Sequence, residues 1–224
     1  MTHSDDFEQS WIANAANWTR AVREGLIPSR KAGTDAAIVN AIVARRPQRL
    51  LDVGCGEGWL TRRLRLLTGC ETTGIDFSRD LIGDAAETDP TGRYLVLRYA
   101  DLIAGHHELG SDFDVIAFNY ALFEEDIVPL LSAARKLLAP DGAIVIQTLH
   151  PGAFAGNGEG WRTEDFAAFQ SRDWTPMPWY FRSAESWHTA IAQAEFAIVD
   201  TQTPKMQSDG PPLSLLMICE SLRP

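Results

Sequence analysis

Leu50-Leu51-Asp52-Val53-Gly54-Cys55-Gly56-Glu57-Gly58 joins a short apolar run to a turn with glycine at every second position. Residues 49–53 read as a strand, and a helix is expected from Gly58 to Leu67. A strand passing through such a turn into a helix is the setting of a ligand-binding loop in an α/β sheet. Glycine permits positive φ and lets a ligand approach bare backbone. In open α/β sheets ligands collect beyond the carboxyl ends of strands, where strand order reverses. The spacing excludes two familiar loops. A dinucleotide fingerprint starting at Gly54 needs glycine at position 59, where Trp59 stands, and no P-loop lysine follows.

Outward from this loop the chain alternates strand and helix. Further strands read at Thr72 to Asp76, Tyr94 to Arg98, Phe113 to Asn119 and Ala143 to Leu149, with helices at Ser78 to Glu87 and Glu124 to Leu138. The strands are continuous apolar runs, as in strands buried on both faces. Repeated strand–helix units predict a doubly wound, Rossmann-like parallel sheet over residues 48–150. Before it, residues 1–46 predict a helical cap. Apolar residues recur from Phe7 through Trp11, Ala15 and Trp18 to Val22, and a second helix fits Thr34 to Arg46 with Thr34 as its cap and Pro47 as its stop. After it, residues 151–182 are rich in Gly, Pro, Trp and Phe and read as a lid or a packed surface loop. A helix near Ala184 to Ala194 and an antiparallel pair of strands, Phe196 to Thr201 and Leu213 to Glu220, complete what reads as a single domain over 1–224.

The 224 residues suffice for one α/β core. A formal net charge of −10 repels phosphate backbones, so nucleic acid is not expected as a partner. The cluster Arg62-Arg63-Leu64-Arg65 reads as a solvated helix face. No run reaches the ~18 apolar residues of a membrane span, and residues 1–6 lack a signal-peptide pattern. Cys55, Cys70 and Cys219 are scattered, which suits a reducing, cytoplasmic setting. His106-His107-Glu108 lacks a third ligand at a familiar spacing, so no metal is expected. Oligomeric state is not readable.

The other strand tips carry further candidates. Asp76, 18 residues after Gly58, is placed to accept from ribose hydroxyls; the alternative, a helix cap, is a job Ser78 can do. Phe77 can pack on a base, or in the core. Asp101, after the third strand, can accept from an exocyclic amine or cap a helix. Asn119 and Tyr120 end the fourth strand.

In these residues the chain resembles the class I S-adenosylmethionine-dependent methyltransferases of the small-molecule type. The match covers roughly residues 48–150. It rests on Asp52-x-Gly54-x-Gly56-x-Gly58, Asp76-Phe77, Asp101-Leu102, Phe113-Asp114-Val115-Ile116 and Leu137-Leu138-Ala139-Pro140-Asp141-Gly142, in that order. The resemblance implies seven strands with the last antiparallel, and S-adenosylmethionine as cofactor. It implies a cofactor set of Asp52, Gly54, Cys55 and Gly56, with Gly54 and Gly56 along the methionine part, Asp76 and Phe77 at the ribose and base, Asp101 and Leu102 at adenine, and Asn119 near the methionine. The N-terminal segment would cap the cofactor, with Trp18, Arg30 and Lys31 as candidates; Arg30 reads somewhat more readily as a surface residue, as exposed arginines are the rule.

Methyl transfer asks the protein to align donor and acceptor and exclude water. Aromatic faces favour a sulfonium charge, and Tyr120, Trp161, Trp179, Tyr180 and Phe181 form the pool for such a wall. His150, ending the fifth strand, is the candidate base for an acceptor hydroxyl, or else a partner of the lid backbone. His150, Tyr120 and Tyr180 are therefore the catalytic candidates, and His188 reads as structural. A small molecule is the expected acceptor. The alternatives are another reaction of the same cofactor (cyclisation or elimination), a non-catalytic binding module on the same fold, or an NAD-dependent oxidoreductase, against which Trp59 speaks.

Overall fold

The computed structural model describes residues 3–154, 158–169, 173–205 and 209–222. The strands are β1 (Arg49–Val53), β2 (Glu71–Asp76), β3 (Arg93–Val96), β4 (Phe113–Asn119), β5 (Leu138–Leu149), β6 (Gly160–Glu164), β7 (Met177–Phe181), β8 (Phe196–Gln202) and β9 (Ser214–Ser221). Seven of them form one sheet in the order β3-β2-β1-β4-β5-β9-β8. The first five in that order run parallel, and β9 lies antiparallel between β5 and β8. Strand order therefore reverses at β1, between β2 and β4, and the glycine turn leaves from the tip of that strand.

The helices are α1 (His3–Arg23), α2 (Asp35–Ala44), α3 (Trp59–Thr68), α4 (Arg79–Thr88), α5 (Tyr99–Ala104), α6 (Val128–Arg135) and α7 (Ala184–Gln193). Both faces of the sheet are buried, which is why its strands do not alternate polar and apolar. Leu51, Val53, Ile116 and Phe118 pack on the side of α6 and α7, and Leu50, Val115, Ala117 and Val145 on the side of α2 and α3. Each fully buried Leu, Ile, Val or Phe stabilises the fold by ~1.5–3 kcal/mol.

Local departures from the sequence expectations have physical causes. Helix α6 starts at Val128 rather than near Glu124, with a proline in its first turn. The Glu124 and Glu125 carbonyls instead accept from the buried Arg182 guanidinium at 2.8 and 2.6 Å. Thr34 does not cap α2: its φ of −67° is helical and its hydroxyl donates to the Ser29 carbonyl. Gly33, at φ 143°, breaks the preceding turn. Strand β3 ends at Val96, and Tyr99 already begins α5. Ser78 does cap α4, accepting from the Leu81 amide. Ala139 to Gly142 bulge out of β5, since Phe113 pairs Leu138 while Val115 pairs Ala143.

Helix α1 and the β6–β7 hairpin lie together over the strand tips. Asn14, fully buried, donates to the Thr175 carbonyl and accepts from the Thr175 amide, both at 2.8 Å. Phe7, Phe123, Phe166, Met177, Trp179 and Phe181 form a third apolar cluster there, apart from the two that clasp the sheet. Residues 155–157 and 170–172 of the aromatic-rich segment, and 206–208 of the later turn, lie outside the described residues.

Candidate active site

The turn after β1 is shaped by its glycines. Gly54, Gly56 and Gly58 all have positive φ, at 74°, 56° and 78°. The Gly54 and Cys55 amides both donate to the Ile75 carbonyl, at 2.8 and 3.0 Å, which pins the turn to β2. A Cβ on Gly54 would strike Ala121 and the Tyr99 hydroxyl, and one on Gly58 would strike Tyr94 and Ala85. Gly56 differs: a Cβ there would meet nothing within 4 Å. Its backbone faces open space, a cradle that any side chain would fill.

That space is a cavity of about 400 Å³, within the range of small-molecule and cofactor pockets. It has two ends. At one, the wall comprises Asp52, Gly54, Cys55, Gly56, Glu57, Trp59, Arg30, Asp35 and Asn119. At the other it comprises Trp11, Trp18, Tyr120, Phe123, Phe166, Phe169, Met177 and Trp179. The second end is aromatic because α1 and the hairpin bring their buried faces together. Along β7, Met177, Trp179 and Phe181 are buried while Pro178 and Tyr180 are not.

The polar end is acidic. Asp52 is 1% exposed and accepts from the Thr61 hydroxyl at 2.9 Å. Burial pushes its carboxyl up to about 7, opposed by the Thr61 bond and helped by the charge of Asp76. Glu57 is 3% exposed. Its Oε2 pairs with Arg62 at 2.7 Å and Arg23 at 3.3 Å, while its buried Oε1 has no hydrogen-bond partner among the described residues. Glu57 is the site residue that the sequence reading passed over. Burial raises the Cys55 thiol well above its ordinary value.

Several predicted residues converge on the cavity: Asp52, Gly54, Cys55, Gly56, Asn119, Tyr120, Trp18 and Arg30 all line it. Asn119 Oδ1 accepts from the Gln147 side-chain Nε2 at 3.0 Å. Tyr120 holds φ at +53°, a strained value for a bulky residue, fixed by its amide donating to the Gln147 carbonyl at 2.7 Å. Burial raises its hydroxyl pKa. Arg30 is bound to Asp35 at 2.8 Å and stacks 4.3 Å over the Trp59 ring. Lys31 is exposed and lies against Gly25.

Other predicted residues stand outside the wall. Asp76 is 7% exposed and sits behind the floor, accepting from the amides of Gly56 at 3.1 Å and Ser78 at 2.9 Å. Burial raises its carboxyl to about 6 against these bonds. Phe77 is half-buried, Asp101 occupies the first turn of α5, and Leu102 is buried in the core with its amide donated to Arg98. Tyr99, which the reading ignored, donates to the Ala121 carbonyl at 3.0 Å beside Gly54. His150 lies off the cavity wall. Its Nδ1 accepts from the Gly152 amide at 3.0 Å, so the lone pair a base would need is engaged, and burial lowers its pKa. Tyr180 points to the opposite face of the hairpin, toward Trp161 and Glu159. His188 Nδ1 bonds the Ala184 carbonyl within α7. Among the described residues, no group of three or more His, Cys, Asp or Glu is arranged to hold a metal ion, and no helix is long and apolar enough to cross a membrane.

A methyltransferase-domain family model matches residues 31–201. The chain belongs to the methyltransferase domain family. The matched span runs from the wide turn before α2 into β8, so it takes in the glycine turn and the polar end of the cavity except Arg30. Within this family the chain is 26% identical over 171 residues to the malonyl-[acyl-carrier protein] O-methyltransferase of Enterobacter lignolyticus, covering 75% of this chain and 63% of that protein. It is 34% identical over 124 residues to the ubiquinone biosynthesis O-methyltransferase of Xanthomonas campestris, covering 52% and 50%. The chain spans less than two thirds of the length of these curated relatives. The structure of Burkholderia thailandensis 1,6-didemethyltoxoflavin-N1-methyltransferase, with its substrate and S-adenosylhomocysteine bound, superposes with a TM-score of 0.63 at 19% identity, over 97% of this chain and 91% of that one. That likeness is one of fold.

The residues at the polar end suit a cofactor with an amino-acid tail. Bare backbone at Gly56 leaves room, and the buried carboxyls of Asp52 and Glu57 make this end of the wall acidic, which suits an ammonium.

Proposed function

We propose that this chain is an S-adenosylmethionine-dependent methyltransferase acting on a small molecule, with the whole chain working as one domain. The observation that carries the reading is a single cavity whose floor is bare glycine backbone at the β1 tip and whose far end is walled by aromatic rings. When bound, S-adenosylmethionine supplies a methyl carbon activated by a positively charged sulfur. Every other task falls to the chain. Gly54 and Gly56 offer backbone to the methionine part, and the carboxyls of Glu57 and Asp52 in the wall supply the negative charge that favours its ammonium. Asp76 and Asp101 take the ribose and adenine, on the side of the floor toward β2 and α5. Asn119, fixed by Gln147, borders the junction of the two ends.

Tyr120 stands at that junction on a strained backbone and orients the acceptor. A phenol is protonated near neutrality, and burial favours that form further, so the hydroxyl is able to donate a hydrogen bond. Trp18, Phe166 and Trp179 exclude water and present ring faces that favour a cationic sulfur. His150 and Tyr180 lie outside this wall and receive no role in the transfer. The net charge of −10 favours small-molecule partners over nucleic acid, and three buried free cysteines fit a cytoplasmic setting.

The test is calorimetry with S-adenosylmethionine and S-adenosylhomocysteine, followed by mass spectrometry of acceptor mixtures. Micromolar binding and acceptor-dependent release of S-adenosylhomocysteine are expected. No binding at millimolar cofactor would overturn the reading. Steady formation of methylthioadenosine without an acceptor would show a different reaction of the same cofactor.

A further inference from the structure

Asn119 and Gln147 are cross-strand neighbours in the parallel register of β4 and β5. Paired residues of adjacent strands send their side chains to the same face of a sheet. Here it is the face on which Val115, Ala117 and Val145 meet α2. Gln147 is 1% exposed. Its Nε2 donates twice, to the Thr34 carbonyl and to Asn119 Oδ1, both at 3.0 Å. A backbone carbonyl can only accept. The Thr34 carbonyl therefore fixes which way the Gln147 amide points, because the reversed amide would set Oε1 against that oxygen. The Gln147 amide in turn fixes Asn119, whose oxygen meets the Nε2 hydrogen. A carbonyl in the turn before α2 thus sets the polarity of a side chain at the tip of β4.

Asn119 is left with its Nδ2 hydrogens. They have no partner among the described residues, and Nδ2 is not among the polar atoms sealed from solvent. Asn119 lines the polar end of the cavity, so what it offers there is a donor. The charged side chains of that end stand in two groups. Asp52 ends the run into the glycine turn and Glu57 lies within the turn. Arg30 and Asp35 flank the turn before α2 and meet each other, with the Arg30 Nε at 2.8 and 3.1 Å from the two carboxylate oxygens. Their charges offset one another, which leaves the Asn119 donor beside a locally neutral pair. A zwitterion fits this division. Its ammonium is favoured by the acids of the glycine turn, and its carboxylate needs donors that those acids do not supply.

We propose that Gln147 is a positioning residue, which holds Asn119 so that its Nδ2 donates to the carboxylate of the cofactor's amino-acid tail. This rests on the methyltransferase reading above and deepens it. The role belongs to the Gln147 side chain alone. Tyr120 is held by the Gln147 backbone carbonyl, so a substitution at position 147 leaves that bond in place. Without the side-chain amide, Asn119 is free to turn either its oxygen or its nitrogen to the cavity, and the oxygen repels a carboxylate.

The experiment is calorimetry of the full chain with two ligands, S-adenosylhomocysteine and S-adenosyl-3-thiopropylamine. The second keeps the nucleoside, the sulfur and the ammonium and lacks the carboxylate. Three variants are compared with the wild type. Asn119→Asp keeps the shape and the bond from Gln147 and exchanges the donor for an acceptor. Asn119→Ala removes the donor without adding charge, and Gln147→Met keeps the length of the side chain and removes the amide. Asn119→Asp should weaken S-adenosylhomocysteine about tenfold or more, and the other two about three- to tenfold. The carboxylate-free ligand should change by less than about twofold in Asn119→Ala and Gln147→Met, and its retained binding shows that each variant has folded. Equal weakening of both ligands would mark the pair as merely structural and overturn the inference. Unchanged S-adenosylhomocysteine affinity in the Asn119 variants would overturn it as well. A loss in those variants without one in Gln147→Met would overturn the positioning role. Failure of the wild type to bind either ligand would remove the underlying reading and the inference with it.

Discussion

Adding one methyl group at Gly56 should separate the cost of backbone strain from the cost of blocking the cradle. Gly56 has φ 56° and Gly69 has φ 71°, and a Cβ on either would meet nothing within 4 Å. In the free protein, then, Gly56→Ala and Gly69→Ala face the same penalty: an L side chain in the left-handed region, ~1–2 kcal/mol. For a chain of this size that lowers the melting midpoint by ~2–8 °C. The two positions differ only in what lies beyond them. Gly69 ends α3 away from the cavity, whereas Gly56 is part of its floor. A methyl group intruding on a ligand packed against backbone costs a further ~1–3 kcal/mol, about five- to 150-fold in affinity. Differential scanning fluorimetry and calorimetry with S-adenosylhomocysteine read both quantities. Similar melting losses in the two variants are expected, with weakened binding in Gly56→Ala alone. Equal affinities in the two variants would refute the assignment of the cradle.

Glu57→Gln should weaken S-adenosylhomocysteine by ~1.5–3 kcal/mol, the worth of a charge-assisted bond, and leave 5′-methylthioadenosine, which has no ammonium, unaffected in the same titration. Equal losses for both ligands would place Glu57 away from the amino-acid tail. Asp52 at about 7 and Asp76 at about 6 lie above the ordinary 3.8, so the folded chain holds protons that the unfolded chain releases. Their contribution to stability is full below pH 4 and is lost as pH rises toward 7. Urea unfolding from pH 5 to pH 7.5 should show that decline, and Asp52→Asn should flatten it. Asn14→Ala removes two bonds at 2.8 Å that tie α1 to the segment before β7; a loss of ~1–3 kcal/mol and faster amide exchange at residues 177–181 are expected, and unchanged exchange would show that α1 and the hairpin are held otherwise.

What could be read in advance followed from local chemistry. Val53 to Gly58 carries its own conformational instruction, because alternate glycines after a buried strand have few other uses. The central strands β1, β4 and β5 announced themselves as apolar runs buried on both sides. The hairpin β6–β7 did not. Pro178 interrupts its pattern, and its burial depends on α1, more than 150 residues earlier in the chain, as the bond between Asn14 and Thr175 shows. Helix α5 is six residues long, too short to display a period. Glu57 looked like a spacer between two glycines, since its burial comes from Arg23 on α1 and Arg62 on α3. His150 stands at a strand tip as expected, yet the Gly152 amide claims its Nδ1, a contact no spacing rule conveys. Tyr180 and Trp179 are adjacent and equally aromatic, and only the strand pleat decides which faces the cavity.

A crystal structure of the protein grown with S-adenosylhomocysteine is the most direct measurement. Its homocysteine tail should lie on the Gly54 and Gly56 backbone with the ammonium at Glu57, and its sulfur should point toward Tyr120 and the aromatic end. Density for the ligand elsewhere, or side chains closing the space above Gly56, would contradict the assignment of this crevice as the seat of methyl transfer.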